Sequence, residues 1–189
     1  MWWLEQDLIR RFASRLACVA CLGGLGGGCF QPLYGEHSLT PNSPAIGPAL
    51  AAVDVSQIPA PSGSSEARVA VEARNQLLFN LTGGGAPPPP THRLAIRMTS
   101  NRLSVDVNIA TGLQDVEQYG LNVTYTMTEI KTGKPVITGS TFARVSYDIP
   151  GQTQRFARAR ALRDAEDRAA KLIADNIRAR LASYFVAGT

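Results

Sequence analysis

Residues 119–128 read Tyr-Gly-Leu-Asn-Val-Thr-Tyr-Thr-Met-Thr; after Glu129 and Ile130 come Lys131-Thr132-Gly133-Lys134, then Pro-Val-Ile-Thr-Gly-Ser-Thr-Phe-Ala-Arg-Val-Ser-Tyr over 135–147. In the first stretch Tyr119, Leu121, Val123, Tyr125 and Met127 occupy every second position, and Asn122, Thr124, Thr126 and Thr128 fill the gaps. Successive side chains of a strand point to opposite faces, so this alternation predicts a strand with one apolar and one polar face. The later stretch, from about Val136 to Tyr147, repeats the pattern, with Ala143, Val145 and Tyr147 alternating with Phe142, Arg144 and Ser146. Between them, 131–134 predicts a tight hairpin turn in which Gly133 supplies a positive φ. Two such strands joined by such a turn require an antiparallel sheet with one face to bury.

Upstream, Leu94, Ile96 and Met98 alternate with Arg93, Ala95, Arg97 and Thr99. This predicts a further strand, continuing after a bend near Asn101 through Val105, Val107 and Ile109. Val53-Asp54-Val55-Ser56 predicts a short strand with both valines inward. From Glu66 to Leu81, Val69, Ala73, Leu77 and Leu81 recur every fourth residue, with Ala70 and Leu78 beside them. That is the stripe of an amphipathic helix. Its stop is Thr82-Gly-Gly-Gly-Ala-Pro-Pro-Pro-Pro90, since proline cannot continue a helix.

Downstream, Pro150-Gly151 ends the sheet, and Thr153 is placed to cap a final helix reaching about Phe185. Leu162, Ala165, Ala169, Leu172, Ile173, Ile177, Leu181 and Tyr184 are its expected apolar face. Arg163–Asp167, Asp164–Arg168, Asp167–Lys171 and Lys171–Asp175 are charge pairs four apart on a solvated face, each contributing about 0.2–0.5 kcal/mol. The order is β-α-β-β-β-α. The fold class this predicts is α+β: a two-layer sandwich with two helices packed on one face of a mostly antiparallel four-stranded sheet. The other sheet face is rich in Thr, Asn, Ser and Arg, and is either wet or docked against a polar partner.

The amino-terminal region has another character. Arg10, Arg11 and Arg15 precede the short apolar run 16–25, and Gly26-Gly27-Gly28 stand before Cys29. A positive region, an apolar region and small residues at a cut site are the layout of a bacterial export signal. Residues 1–28 therefore read as a lipoprotein signal peptide, and 29–48, rich in Pro, Gly, Ser and Asn, as a lipidated Cys and flexible tether. Residues 49–189 read as the folded domain. All three cysteines, Cys18, Cys21 and Cys29, fall in the first segment. Cleavage before Cys29 leaves a domain without thiols, carrying a covalent diacylglycerol and acyl chain on Cys29. Cys21 is the alternative cut site.

The net charge of +4 is mild and, without a concentrated basic stripe, disfavours nucleic acid. Chemistry-bearing residues are sparse. His37 lies in the tether and His92 follows four prolines, neither with a carboxylate or Cys at ligand spacing, so both read as surface residues and no metal site is expected. Gly83-Gly-Gly85 follows a helix instead of opening one and lacks the Lys-Ser/Thr of a phosphate loop. Asp106, Asp115 and Glu117 form no recognisable acid–base pair. No cofactor is implied, and a binding domain is expected in place of an enzyme.

Cys29-Phe30-Gln31-Pro32-Leu33-Tyr34-Gly35 resembles the start of mature lipopolysaccharide-assembly lipoproteins of the LptE family, in its alphaproteobacterial branch. Those usually carry Cys-Gly-Phe-x-Pro-Leu-Tyr-Gly; here the glycine after the Cys is absent. The hairpin Thr128–Ser140, and Ser146-Tyr147-Asp148 ahead of an Arg- and Ala-rich final helix, resemble the same family. The resemblance implies a lipid-anchored protein on the periplasmic side of the outer membrane. It would plug the LptD β-barrel and assist delivery of lipopolysaccharide to the cell surface. Arg93, Arg97, Arg102, Lys131, Lys134 and Arg144, chosen by charge and place, are candidates to meet glycolipid phosphates. An auxiliary periplasmic lipoprotein of a lipid-trafficking ABC transporter is the alternative function, and a periplasmic hydrolase would need a catalytic group the sequence does not display.

Overall fold

The computed structural model describes residues 45–107, 114–149 and 155–187. They belong to one of the chain's two compact units, Glu36–Thr189. The elements in chain order are α1 (Ile46–Ala51), β1 (Val53–Val55), α2 (Ser65–Thr82), β2 (His92–Val107), β3 (Gln114–Glu129), β4 (Pro135–Asp148) and α3 (Arg155–Ala187). The architecture is α+β, a four-stranded sheet in the order β1-β2-β3-β4 with helices packed on it. The expected order gains one element, α1. Its Pro48 sits in the first turn, where a helix needs no donor from that residue, and Ile46 and Leu50 are buried.

β2, β3 and β4 are antiparallel neighbours, whereas β1 pairs with β2 in parallel. The reason is connectivity: β1 reaches β2 through α2, and a crossover helix returns the chain to the same end of the sheet. The turn between β3 and β4 has Gly133 at φ 68°. There the Glu129 N–H donates to the Lys134 carbonyl at 3.0 Å and the Gly133 N–H to the Glu129 carbonyl at 2.9 Å.

The expected inward set is inward. Val53 and Val55, Leu94 and Ile96, Tyr119 through Met127 on alternate positions, and Ala143, Val145 and Tyr147 all lie in one core. β2 differs from expectation: it runs as one strand through Asn101, with its irregularity displaced to Ser104–Val107. Without a bend at Asn101 the alternation carries straight on, so Leu103 and Val105 end exposed.

α2 starts where Ser64 Oγ accepts the Ala67 N–H at 3.1 Å, and ends at Gly83 (φ 65°), whose N–H donates to Phe79 O at 2.8 Å. Its buried stripe is Val69, Ala70, Ala73, Leu77 and Leu81. α3 buries Ala165, Ala169, Ala170, Ala174 and Ala182 around Ile173, Ile177 and Leu181. Small side chains let it lie close to both α2 and the sheet. Leu172, expected on that face, is 46% exposed, while Glu166 is only 3% exposed.

Glu166 tolerates burial because Arg68 of α2 pairs with it and, at 2.6 Å, with Asp167. Asn80 Nδ2 donates to Asp175 at 2.8 Å, so α2 and α3 run in the same direction. Of the four charge pairs expected along α3, only Asp164–Arg168 forms among the described residues, at 2.8 Å. Asp167 and Asp175 reach across to α2 instead. Thr153 lies outside the described residues.

Candidate binding surface

Because α2 and α3 cover one face of the sheet, the residues between the buried ones make a second, uncovered face. Its rows follow from the register. Thr99, Asn122 and Phe142 lie side by side, as do Arg97, Thr124 and Ser140, then Ala95, Thr126 and Thr138. Toward the Val107 end come Asn101, Gly120 and Arg144. Hydroxyl and amide side chains dominate, so the face offers hydrogen-bond donors and acceptors in quantity and little apolar area.

Leu103, 59% exposed on β2, and Phe142, 60% exposed on the edge strand β4, are the large apolar exceptions. The guanidinium of Arg144 lies over the Phe142 ring at 5.1 Å, which shields one side of the phenyl and fixes the direction of the charge. A shallow groove of about 230 Å³ runs beside it, lined by Arg97, Asn122, Thr124, Ser140 and Phe142 among others.

The six basic candidates do not converge. Arg93, Arg97 and Arg144 lie on the open face, but Arg93 Nε reaches Asp54 at 3.3 Å across the β1–β2 pair. Arg102 falls opposite Tyr119 and therefore on the helix-bearing side, near the Val107 end. Lys131 and Lys134 sit at the other end, exposed around the β3–β4 turn. Six charges chosen by type thus divide over two faces and two ends. Cys29 and His37 lie outside the described residues.

Two polar clusters, each built on a buried glutamate, were not apparent as such in the sequence. Glu117, 8% exposed, accepts the Tyr147 hydroxyl and, at 2.7 Å, Arg158 Nη2 of α3. Burial, and then the bond to this carboxylate, push the Tyr147 phenol up to about 12. The second cluster is Arg68 with Glu166 and Asp167. Both tie helices in place. His92 stands edge-on to Phe185, ring centroids 5.4 Å apart, and burial lowers its pKa against the opposing charge of Glu129. Among the described residues no three His, Cys, Asp or Glu side chains gather as a metal site would require.

Comparison with known proteins adds to this geometry. The family model for LptE, lipopolysaccharide-assembly, matches residues 50–181. Among solved structures, a protein of Caulobacter crescentus CB15 assigned as a lipoprotein aligns with TM-score 0.58 and 21% identity, covering 76% of this chain and 97% of that one. The rare lipoprotein B from Shewanella oneidensis aligns with TM-score 0.51 and 15% identity, covering 71% of this chain and 95% of that one. At these identities the two structures speak for the fold. A search of curated proteins gave no match.

Proposed function

The chain belongs to the LptE lipopolysaccharide-assembly family, whose members are assembly lipoproteins without catalytic turnover, and on that premise we propose that it acts at the outer membrane as the plug of an LptD-type β-barrel. In this reading Cys29 is acylated after removal of residues 1–28, and the domain seats in the barrel lumen and assists passage of lipopolysaccharide to the cell surface. The opening Cys29–Gly35 supports the alphaproteobacterial branch by its Phe-x-Pro-Leu-Tyr-Gly pattern.

The observation that carries the proposal is the family match over 50–181, which spans all four strands, α2 and most of α3. The open sheet face supports it physically. The lumen of an outer-membrane barrel is polar, and a face of Thr, Asn, Ser and Arg side chains can exchange hydrogen bonds with water for hydrogen bonds with such a wall at little net cost. Phe142, with Arg144 over its ring, is the apolar anchor on that face. Arg97, in the groove, and Lys131 and Lys134, at the hairpin tip, are the best placed of the basic candidates to meet glycolipid phosphate. Arg102 and Arg144 are secondary candidates, and Arg93 is engaged by Asp54.

Affinity purification of the tagged mature protein from detergent-solubilised membranes tests the proposal. An outer-membrane β-barrel in stoichiometric amount is the expected partner. Recovery of an inner-membrane transporter complex in its place overturns the barrel reading and supports the auxiliary-lipoprotein alternative.

A further inference from the structure

α3 opens with Arg155-Phe-Ala-Arg158-Ala-Arg160-Ala-Leu-Arg163, four arginines in nine residues without an acid. This nonapeptide carries a formal charge equal to the whole chain's net +4, so the remainder of the chain balances to zero. Cations at this end of a helix oppose the backbone dipole, so helix stability does not account for them. Arg158 is held by Glu117 at 2.7 Å. Arg155, Arg160 and Arg163 are exposed and form no ion pair among the described residues.

Beside them Phe156 is 89% exposed, the most exposed large hydrophobic side chain described. The spacing of Phe156, Arg160 and Arg163 (i, i+4, i+7) puts them on one helical stripe. That stripe lies opposite Arg158, which faces the sheet. The bond from Arg158 to buried Glu117, itself held by Tyr147, fixes the rotation of this part of α3 and so the direction in which the stripe points.

We propose that the first turns of α3 dock on the phosphate-rich surface of an anionic lipid bilayer, with Phe156 entering the interface and Arg155, Arg160 and Arg163 holding lipid phosphates. The argument for this occupant is charge complementarity joined to an uncovered aromatic. A guanidinium offers a planar fork that matches phosphate oxygens two at a time. A phenyl flanked by arginines gains apolar burial at a head-group boundary while the charges stay at phosphate level. Among the described residues no helix is long and apolar enough to cross a membrane, so the contact is peripheral. The inference goes beyond the barrel reading and does not depend on acylation of Cys29.

The unit Glu36–Thr189 closes its own core and contains no cysteine, so it reports the surface without a lipid anchor. Its flotation is measured with vesicles of phosphatidylcholine, with and without phosphatidylglycerol, at low and high salt. Binding is expected only with the anionic lipid and weakens with salt. Arg155→Ala, Arg160→Ala and Arg163→Ala together reduce apparent affinity about a hundredfold, and Phe156→Ser alone about tenfold. Circular dichroism verifies that helix content is unchanged. The control triple Arg168→Ala, Lys171→Ala and Arg180→Ala, three exposed positions farther along α3, removes the same charge elsewhere and retains binding. No flotation on anionic vesicles, equal flotation on neutral ones, or equal loss in the control triple overturns the proposal.

Discussion

The two faces of the sheet share one backbone and differ in almost everything else. Leu121 is buried and its neighbours Gly120 and Asn122 point the other way; Ala143 is buried and Phe142 beside it is 60% exposed. The buried inward positions are apolar or, like Glu117, partnered, and Arg102 at the Val107 end of that side is exposed. The outward positions are mostly polar, with Phe142 and Leu103 as the large apolar exceptions, and neither α2 nor α3 covers them. The inward face is explained by folding. The outward face does not take part in the core, and it is the face on which the proposed barrel contact rests.

The largest effect expected from this contrast is a core truncation against a surface one. Leu121→Ala should lower unfolding stability by about 2–5 kcal/mol through lost burial and a cavity, whereas Phe142→Ala should stay within about 0.5 kcal/mol. Urea denaturation of both variants measures the difference, and comparable losses would erase the distinction between the faces.

A smaller and sharper comparison uses two glycines. Gly139 lies opposite Tyr125 on the inward side, and a Cβ there would stand 2.7 Å from the Tyr125 hydroxyl oxygen and 2.8 Å from Cζ of its ring. Gly120, on the outward side, would meet only the side-chain amide of Asn101. The ring is hemmed in by the core and the amide is free to turn. Gly139→Ala should therefore cost about 1–3 kcal/mol and Gly120→Ala about 0.5 kcal/mol or less, read from the same denaturation curves.

The smallest effect is pH-dependent and tests how the inward face accommodates polar groups. Tyr147 keeps its proton in the fold up to about 12, against 10.0 ordinarily. A raised folded pKa favours the fold while the group is protonated. The contribution is complete below pH 10 and lost as pH rises through about 12. Tyr147→Phe should cost about 1 kcal/mol at neutral pH, from the lost hydrogen bond. It should also flatten the alkaline fall in the urea midpoint between those two pH values. An unchanged alkaline slope would separate Tyr147 from that fall.

Much of the fold was legible because its signals are local. The alternation at 119–127, the fourfold stripe from Val69 to Leu81 and the glycine at 133 each reflect a rule acting within a few residues. The surface candidates were less legible. Arg93, Arg97, Arg102 and Arg144 look alike in sequence, yet one is tied to Asp54, one lines a groove, one stands on the helix-bearing side and one lies over Phe142. Their roles depend on strand pairing, which single positions do not reveal. Phe142 was visible as an outward residue, but not the cation above it.

By itself the sequence determined the strands, the two long helices, the α+β sandwich and which strand positions turn inward, since backbone periodicity decides these residue by residue. Only the tertiary structure decided that β2 runs straight through Asn101 and exposes Leu103 and Val105, and that α1 joins the core. It alone decided that Glu117 and Glu166 are buried, and that Glu166, Asp167 and Asp175 of α3, unlike Asp164, pair with α2 instead of along their own helix. Those outcomes rest on contacts between residues far apart in the chain, where the energy of a charge or a side chain depends on what another element places against it.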